Sequence, residues 1–249
     1  MPAGNPAQNC KRDSLISAGE NSKMFNAIAG RYDLMNLIMS FGLDRYWRRR
    51  AVNDLAPQSG EKILDIGSGT GDIALEVVRQ QPGVILTGID PAGHMLDVAV
   101  KKTKQLGLQK TIRFEPGNAM ALQYPDNFFD GVISAFCIRN VENRITAFME
   151  MHRVLRPGGR AVALELSKPE NSLMRQCHRI YNRIYLPLVG RLLSHGDAYH
   201  YLVNSIEDFP ESGIMLNKMR NGGFSKVSHI PLTGNIASVL IGKKKGDEK

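Results

Sequence analysis

Ile63-Leu64-Asp65-Ile66-Gly67-Ser68-Gly69-Thr70-Gly71-Asp72 is the stretch that decides the fold. Residues 63–66 read as a short buried strand and 73–80 as the helix that follows it. Between them three glycines alternate with small hydroxyl residues, so backbone N–H groups can approach a ligand closely where the chain leaves the strand. Two common nucleotide loops do not fit. The dinucleotide fingerprint is G-x-G-x-x-G, and the phosphate loop needs Lys-Ser/Thr after its last glycine. Here the spacing is G-x-G-x-G, with an acid, Asp65, just before it. An acidic turn without a phosphate signature suits a ligand that carries cationic groups in place of a pyrophosphate.

Outward from this loop, strand and helix alternate as in a parallel sheet. Strands are expected at 84–89, 111–115, 129–134 and 160–166, with helices at about 92–106 and 144–154. Arg156-Pro157-Gly158-Gly159 reads as a turn before the fifth strand. Residues 226–230 and 236–242 read as two further strands around Thr233-Gly234-Asn235, which makes seven. Asp90 closes the second strand, where a carboxylate can accept two hydrogen bonds from a ribose diol. By itself it reads equally well as a turn residue before Pro91, and the glycine loop upstream favours the diol. Thr70 can offer a hydroxyl or simply fill a tight turn. Asp65 can fix the loop or face a ligand ammonium. Asn118 and Ala119, after the third strand, stand where an adenine would lie, although a loop Asn is commonly just a turn former.

Two segments stand outside the alternation. Residues 22–56 carry Met24, Phe25, Ile28, Tyr32, Met35, Ile38 and Met39 at helical spacing, and 171–205 carry Leu173, Cys177, Ile180, Ile184 and Leu188 on one stripe opposite Arg175, Arg179 and Arg183. Both are expected to cap the open end of the sheet as parts of one domain spanning 22–249, with 1–21 a mobile tail. The 249 residues, 43% of them apolar, suffice for a packed core, and no apolar run is long enough to span a bilayer. The N-terminal 22 residues lack the apolar stretch of a signal peptide. Three cysteines without C-x-x-C spacing give neither a disulfide framework nor a metal site. Six scattered histidines supply no H-E-x-x-H, so the reading is metal-free. His195 and Asp197 read as lid-loop residues. A cytoplasmic location follows. The net charge of +8 has no nucleic-acid motif beside it, and nucleic acid is not an expected partner.

The segments Ala29-Gly30-Arg31-Tyr32-Asp33-Leu34-Met35-Asn36, Tyr124-Pro125-Asp126-Asn127-Phe128-Phe129-Asp130, Ile138-Arg139-Asn140-Val141, Leu164-Glu165-Leu166-Ser167-Lys168-Pro169 and Tyr199-His200-Tyr201-Leu202 lie on either side of the loop. Together with it they resemble the ubiquinone/menaquinone biosynthesis C-methyltransferases over about residues 22–242. The resemblance implies an α/β, Rossmann-like class I methyltransferase fold, a mostly parallel seven-stranded sheet with an antiparallel C-terminal strand. It implies S-adenosyl-L-methionine as donor, S-adenosyl-L-homocysteine as product, no metal, and a polyprenylated quinol as acceptor. Cofactor contacts would come from Asp65, Gly67, Gly69, Thr70, Gly71, Asp90, Asn118, Ala119 and Ala135. Tyr32, Arg139 and Asn140 match the positions near the substrate oxygen. Peripheral association with the inner face of a membrane and a homodimer are the remaining partner expectations. The chain departs from the family where Ala135 and Cys137 replace Ser and Gly before Arg139-Asn140. Alternatives are a methyltransferase for a soluble small molecule and a cofactor-binding scaffold without catalysis.

Overall fold

Short runs rich in Ile, Val and Leu, separated by helices, bury both faces most readily as neighbouring parallel strands with helices on either side. The computed structural model, which describes residues 18–169, 171–185 and 196–246, has that arrangement. β1 (Lys62–Ile66), β2 (Ile85–Asp90), β3 (Ile112–Pro116), β4 (Phe129–Ala135) and β5 (Leu155–Leu166) run parallel. β6 (Lys226–Leu232) and β7 (Ala237–Lys243) complete the order β3-β2-β1-β4-β5-β7-β6, with β7 antiparallel to both its neighbours. Strand order reverses between β1 and β4, so the loops that follow these two strands open a crevice at the carboxyl edge of the sheet.

The strand period of two sorts the core into layers. Ile63 joins Leu86, Val162 and Val239 under α3 (Leu43–Leu55) and α4 (Asp72–Gln80). Its neighbour Leu64 faces the other way, with Ile89, Phe148 and Met151 of α6 (Arg144–Val154) and Met215 and Met219 of a helix at Ser212–Asn221. The Arg156–Gly159 turn is built differently from the expectation. Pairing jumps from Phe129↔Leu155 to Gly131↔Arg160, so the turn is looped out inside one long β5.

The N-terminal cap consists of α1 (Ala18–Ile28), a 3-10 turn (Ala29–Arg31), α2 (Tyr32–Met39) and α3. Helix already begins at Ala18, so 18–21 are not part of a tail; residues 1–17 lie outside those described. α5 (Gly93–Gln105) supports this cap through Met95, which packs with Ile28 and Met35. The second cap contains α7 (Ser172–Ile180), a π turn (Tyr181–Tyr185) and α8 (Gly196–Glu207), which precede α9 (Ser212–Asn221). Of the expected stripe only the Ile180 side chain lies among those described; the side chains of Leu173, Cys177 and Ile184 lie outside them. Ile180 is 52% exposed, whereas Met174 and Tyr181 line a cavity. The hydroxyls of Tyr181 and Tyr185 donate to the carbonyls of Met39 and Ile38. Tyr181 and Tyr185 are placed by contact with the end of α2, which the helical period of 171–188 alone does not show. Leu188 and His195 lie outside the described residues. Among those described, no helix is long and apolar enough to cross a membrane.

Candidate active site

Two adjoining cavities open in the crevice, and Tyr32 and Phe136 belong to the walls of both. The first is built on the glycine loop. Gly67 has φ +72°, and its N–H and that of Ser68 donate to the Ile89 carbonyl at 2.8 and 2.9 Å, folding the loop over the end of β2. A Cβ at Gly67 would come within 2.3 Å of the Cys137 sulfur, so the cysteine fills the space beside this glycine. The Asp90 carboxylate accepts from the Gly69 N–H at 2.9 Å and the Ala92 N–H at 2.8 Å. Burial raises its pKa, against the pull of the two N–H groups. Asp90 thus clamps the loop as well as lining the cavity.

Among the expected cofactor residues, Gly67, Gly69, Asp90, Asn118, Ala119 and Ala135 share this cavity wall. Asn118 also forms a turn, its Oδ1 accepting from the Met120 N–H at 2.9 Å. Three expected residues stand elsewhere. Asp65 lies fully buried below the loop and accepts from the Ser68 hydroxyl at 2.7 Å. Its other oxygen, Oδ1, has no partner among the described residues. Burial pushes its pKa up to about 7; the Ser68 bond opposes this and the Asp90 charge adds to it. Thr70 points away, donating to Asp33 Oδ1 at 2.5 Å. Gly71, at φ +87°, packs against Phe114 and Ala99, which an added Cβ would approach to 3.0 and 3.1 Å.

The second cavity is lined mainly by apolar and aromatic side chains, among them Met39, Phe41, Trp47, Phe136, Met174 and Tyr181. Its chief polar feature comes from the turn after β4. Phe136 has φ +59°, and its N–H donates to Leu164 at 2.7 Å, which pins this turn to β5. Arg139 is buried. Its Nη1 donates to Glu165 Oε2 at 3.0 Å and to the Phe136 carbonyl at 2.6 Å, and its backbone N–H donates to Glu165 Oε1 at 3.1 Å. Burial opposes the arginine's charge, but Glu165 and Tyr32 outweigh it and hold the pKa above the ordinary value. Arg139 is therefore a fixed cation, unable to take a proton at neutral pH. Burial likewise raises the Tyr32 pKa, against Arg139, Asn36 and Arg48, so its hydroxyl keeps its proton.

Asn140 lines the first cavity and accepts at Oδ1 from the Tyr201 hydroxyl at 3.0 Å. Asn21 Nδ2 donates to that same Tyr201 oxygen at 2.7 Å, which ties α1, α8 and the β4 turn together. Glu165, Asn36, Tyr201 and Asn21 escaped sequence reasoning as site residues. A signal existed for Glu165, a lone acid inside the apolar run Ala-Val-Ala-Leu-Glu-Leu, because buried acids are rare without a partner. Among the described residues, no group of three or more His, Cys, Asp or Glu side chains comes together.

The sheet order and its flanking helices are those of the class I S-adenosylmethionine-dependent methyltransferases. A SAM-dependent methyltransferase from Aquifex aeolicus superposes with a TM-score of 0.64 at 16% identity, covering 88% of this chain and 97% of that one. A SAM-dependent methyltransferase of Thermotoga maritima, described as a possible histamine N-methyltransferase, gives 0.61 at 18% identity, covering 90% and 99%. The chain belongs to the ubiE/COQ5 methyltransferase family, whose model matches residues 16–244. It is 39% identical over 232 residues to the ubiquinone/menaquinone biosynthesis C-methyltransferase UbiE of Geotalea uraniireducens, covering 92% of this chain and 99% of that protein. It is 42% identical over 226 residues to the demethylmenaquinone methyltransferase of Deinococcus radiodurans, covering 90% and 92%.

Proposed function

We propose that this chain methylates a ring carbon of a polyprenylated quinol, with demethylmenaquinol and methoxy-polyprenyl-benzoquinol as the two acceptor types. The observation that carries this reading is the pair of cavities meeting at Tyr32 and Phe136: one beside an acidic glycine loop, the other apolar and aromatic around a buried cation. The residues fit S-adenosylmethionine. Gly67 and Gly69 leave the loop without side chains, Asp90 offers a carboxylate for a diol, and Asp65 Oδ1 is an unpartnered acceptor below. When bound, the cofactor supplies an electrophilic methyl group on a cationic sulfur, and S-adenosylhomocysteine is what remains.

The chain's part is to make the ring carbon nucleophilic and hold it in place. Arg139 stabilises negative charge on a quinol oxygen, which raises electron density at the adjacent carbon. Tyr32, which keeps its proton, donates to the same oxygen, and Asn140 fixes the turn through Tyr201. The hydroxyl proton leaves to water as that charge forms; after methyl transfer the ring carbon gives its proton to water, the oxygen takes one back, and aromaticity returns with one proton released in all. The apolar lining suits a prenyl tail. Phe41, 67% exposed and stacked on Tyr185 at 4.7 Å, marks the mouth. The exposed Arg175, Arg179 and Arg183 beside this cap support a peripheral seat on an anionic membrane, although Glu207 and Glu211 share their groove. The test is a product assay under reducing conditions with tailed and tail-less forms of both quinol types. Methylation only of the tailed forms is expected, and equal turnover of tail-less quinols would favour a soluble acceptor.

A further inference from the structure

Four buried side-chain polar atoms lack a hydrogen-bond partner among the described residues: Asn21 Oδ1, Asn36 Nδ2, Asp65 Oδ1 and Arg139 Nε. Two of these are N–H donors, and both belong to residues in the wall of the second cavity. Asn36 stands one turn after Tyr32 on α2, so the two share a helix face. Arg139 acts on the Tyr32 phenol through its charge, and the Asn36 amide reaches towards the same hydroxyl without meeting hydrogen-bond geometry, which places the three groups together. A buried donor left unpaired is costly, so two of them in one wall of an otherwise largely apolar cavity call for an explanation.

We propose that Asn36 Nδ2 and Arg139 Nε form an oxygen-binding hole for the deprotonated hydroxyl of the acceptor, which makes Asn36 a catalytic residue alongside Arg139. This rests on the quinol reading and adds to it the state in which the substrate oxygen is held. The reason lies in the donor balance. Arg139 Nη1 is engaged by Glu165 and Phe136, whereas Nε, buried and without a partner among the described residues, is open to a ligand. The surrounding acids are already engaged: Glu165 by Arg139, and Asp44 by Arg48 and the Ser40 hydroxyl. Tyr32 and Tyr181 are the other titratable groups in the wall, and the Tyr181 hydroxyl donates to the Met39 carbonyl. The oxygen of a neutral quinol could accept from these donors, but its own O–H would then need an acceptor in a wall whose acids are engaged. A phenolate oxygen satisfies both, with a charge-assisted bond to the guanidinium.

The test uses a nitrophenol bearing an isoprenoid chain, titrated optically on the full chain saturated with S-adenosylhomocysteine. The expected result is a bound phenol pKa at least about one unit below its solution value in the wild type, a tenfold shift of the ionisation constant. In Asn36→Ala and in the isosteric Asn36→Asp, which replaces the donor with an acceptor, the pKa returns towards the solution value. Turnover of tailed quinol falls about 100-fold in Asn36→Ala, the usual loss for one oxyanion donor. Calorimetric affinity for S-adenosylhomocysteine stays the same. An unshifted phenol pKa in the wild type, or a shift equal in wild type and either folded variant, overturns the proposal. Failure of the quinol reading looks different: the phenol would still ionise in an Asn36-dependent way, while wild type left every tailed quinol unmethylated.

Discussion

The two cavities share Tyr32 and Phe136, yet their unpartnered atoms are opposite in kind. On the cofactor side they are oxygens, Asp65 Oδ1 and Asn21 Oδ1; on the acceptor side they are N–H groups, Asn36 Nδ2 and Arg139 Nε. Unpaired oxygens next to a pair of carboxylates suit a cationic, hydroxyl-bearing ligand. Unpaired donors around a fixed guanidinium suit an oxygen anion. That contrast is the one a methyl transfer from a cationic donor to an anionic acceptor would call for. The difference also lies in construction: the first wall gathers around the glycine loop and the loops that follow β2, β3 and β4, the second draws on α2, the β4 turn and the second cap.

The largest expected break of this comparison is Glu165→Gln. Arg139 and Glu165 are 3% and 0% exposed, and removing one partner of so buried a pair leaves an uncompensated charge, at a cost of about 3–5 kcal/mol. Melting should drop on the order of 10 °C for a chain of this size. Quinol turnover should fall with it, while cofactor affinity, measured below the new melting point, changes less than about threefold, because no bond of Glu165 reaches the glycine loop. A parallel collapse of cofactor affinity would show that the two walls do not act separately.

That contrast in construction explains what the sequence made legible. β1, the glycine loop and α4 are contiguous, and their turn is dictated by residues that tolerate positive φ, so 63–72 can be read without the rest of the fold. Asp90 and Asn118 follow from topology once that unit is placed at the switch point. Arg139 and Asn140 stood out through the family resemblance of their segment. Their partners did not, since Arg139–Glu165, Asn140–Tyr201 and Asn21–Tyr201 join residues 26, 61 and 180 positions apart, and no local period encodes such pairs. Asn21 was hidden inside a polar stretch whose composition reads as tail until α1 is seen packed on the β4 turn. Thr70 was misplaced for the converse reason: a loop hydroxyl next to ligand-facing glycines can turn either way, and Asp33 decides the direction from a distant helix.

A second test sharpens the charge preference on the cofactor side. Asp65, with a pKa raised to about 7, binds its proton more tightly in the folded chain than in the unfolded one. The stabilising contribution of that proton is complete below the ordinary aspartate value near 3.8 and is lost as pH rises through about 7. A ligand ammonium prefers the ionised form, so binding releases the proton. Affinity for S-adenosylmethionine should therefore climb with pH up to about 7 and level off above. The limiting slope is about tenfold per pH unit, giving up to about 30-fold between pH 5.5 and 7 by calorimetry. Burial raises the Asp90 pKa as well, in the same sense. Asp65→Asn should flatten most of the slope. A wild-type affinity independent of pH over this range would remove Asp65 from the cofactor site.

The smallest expected effect lies where the two walls are joined. Asp33 follows Tyr32 directly on α2 and accepts from the Thr70 hydroxyl at 2.5 Å, while Lys102 Nζ bridges Asp33 and Asp72 at 2.5 and 2.7 Å. A residue of the glycine loop thereby holds the helix that carries Tyr32 and Asn36. Thr70→Val keeps the shape of the side chain and removes one hydrogen bond to a charged, half-buried carboxylate, so stability should fall by about 1–2 kcal/mol. Cofactor affinity should stay within about threefold of wild type, because Thr70 has no place in the cofactor cavity wall and the glycine geometry is untouched. Turnover of quinol should drop more than cofactor binding does, since α2 is the element released. An affinity loss beyond tenfold with turnover otherwise intact would reverse this assignment and return Thr70 to the cofactor, as its position beside the loop glycines first suggests.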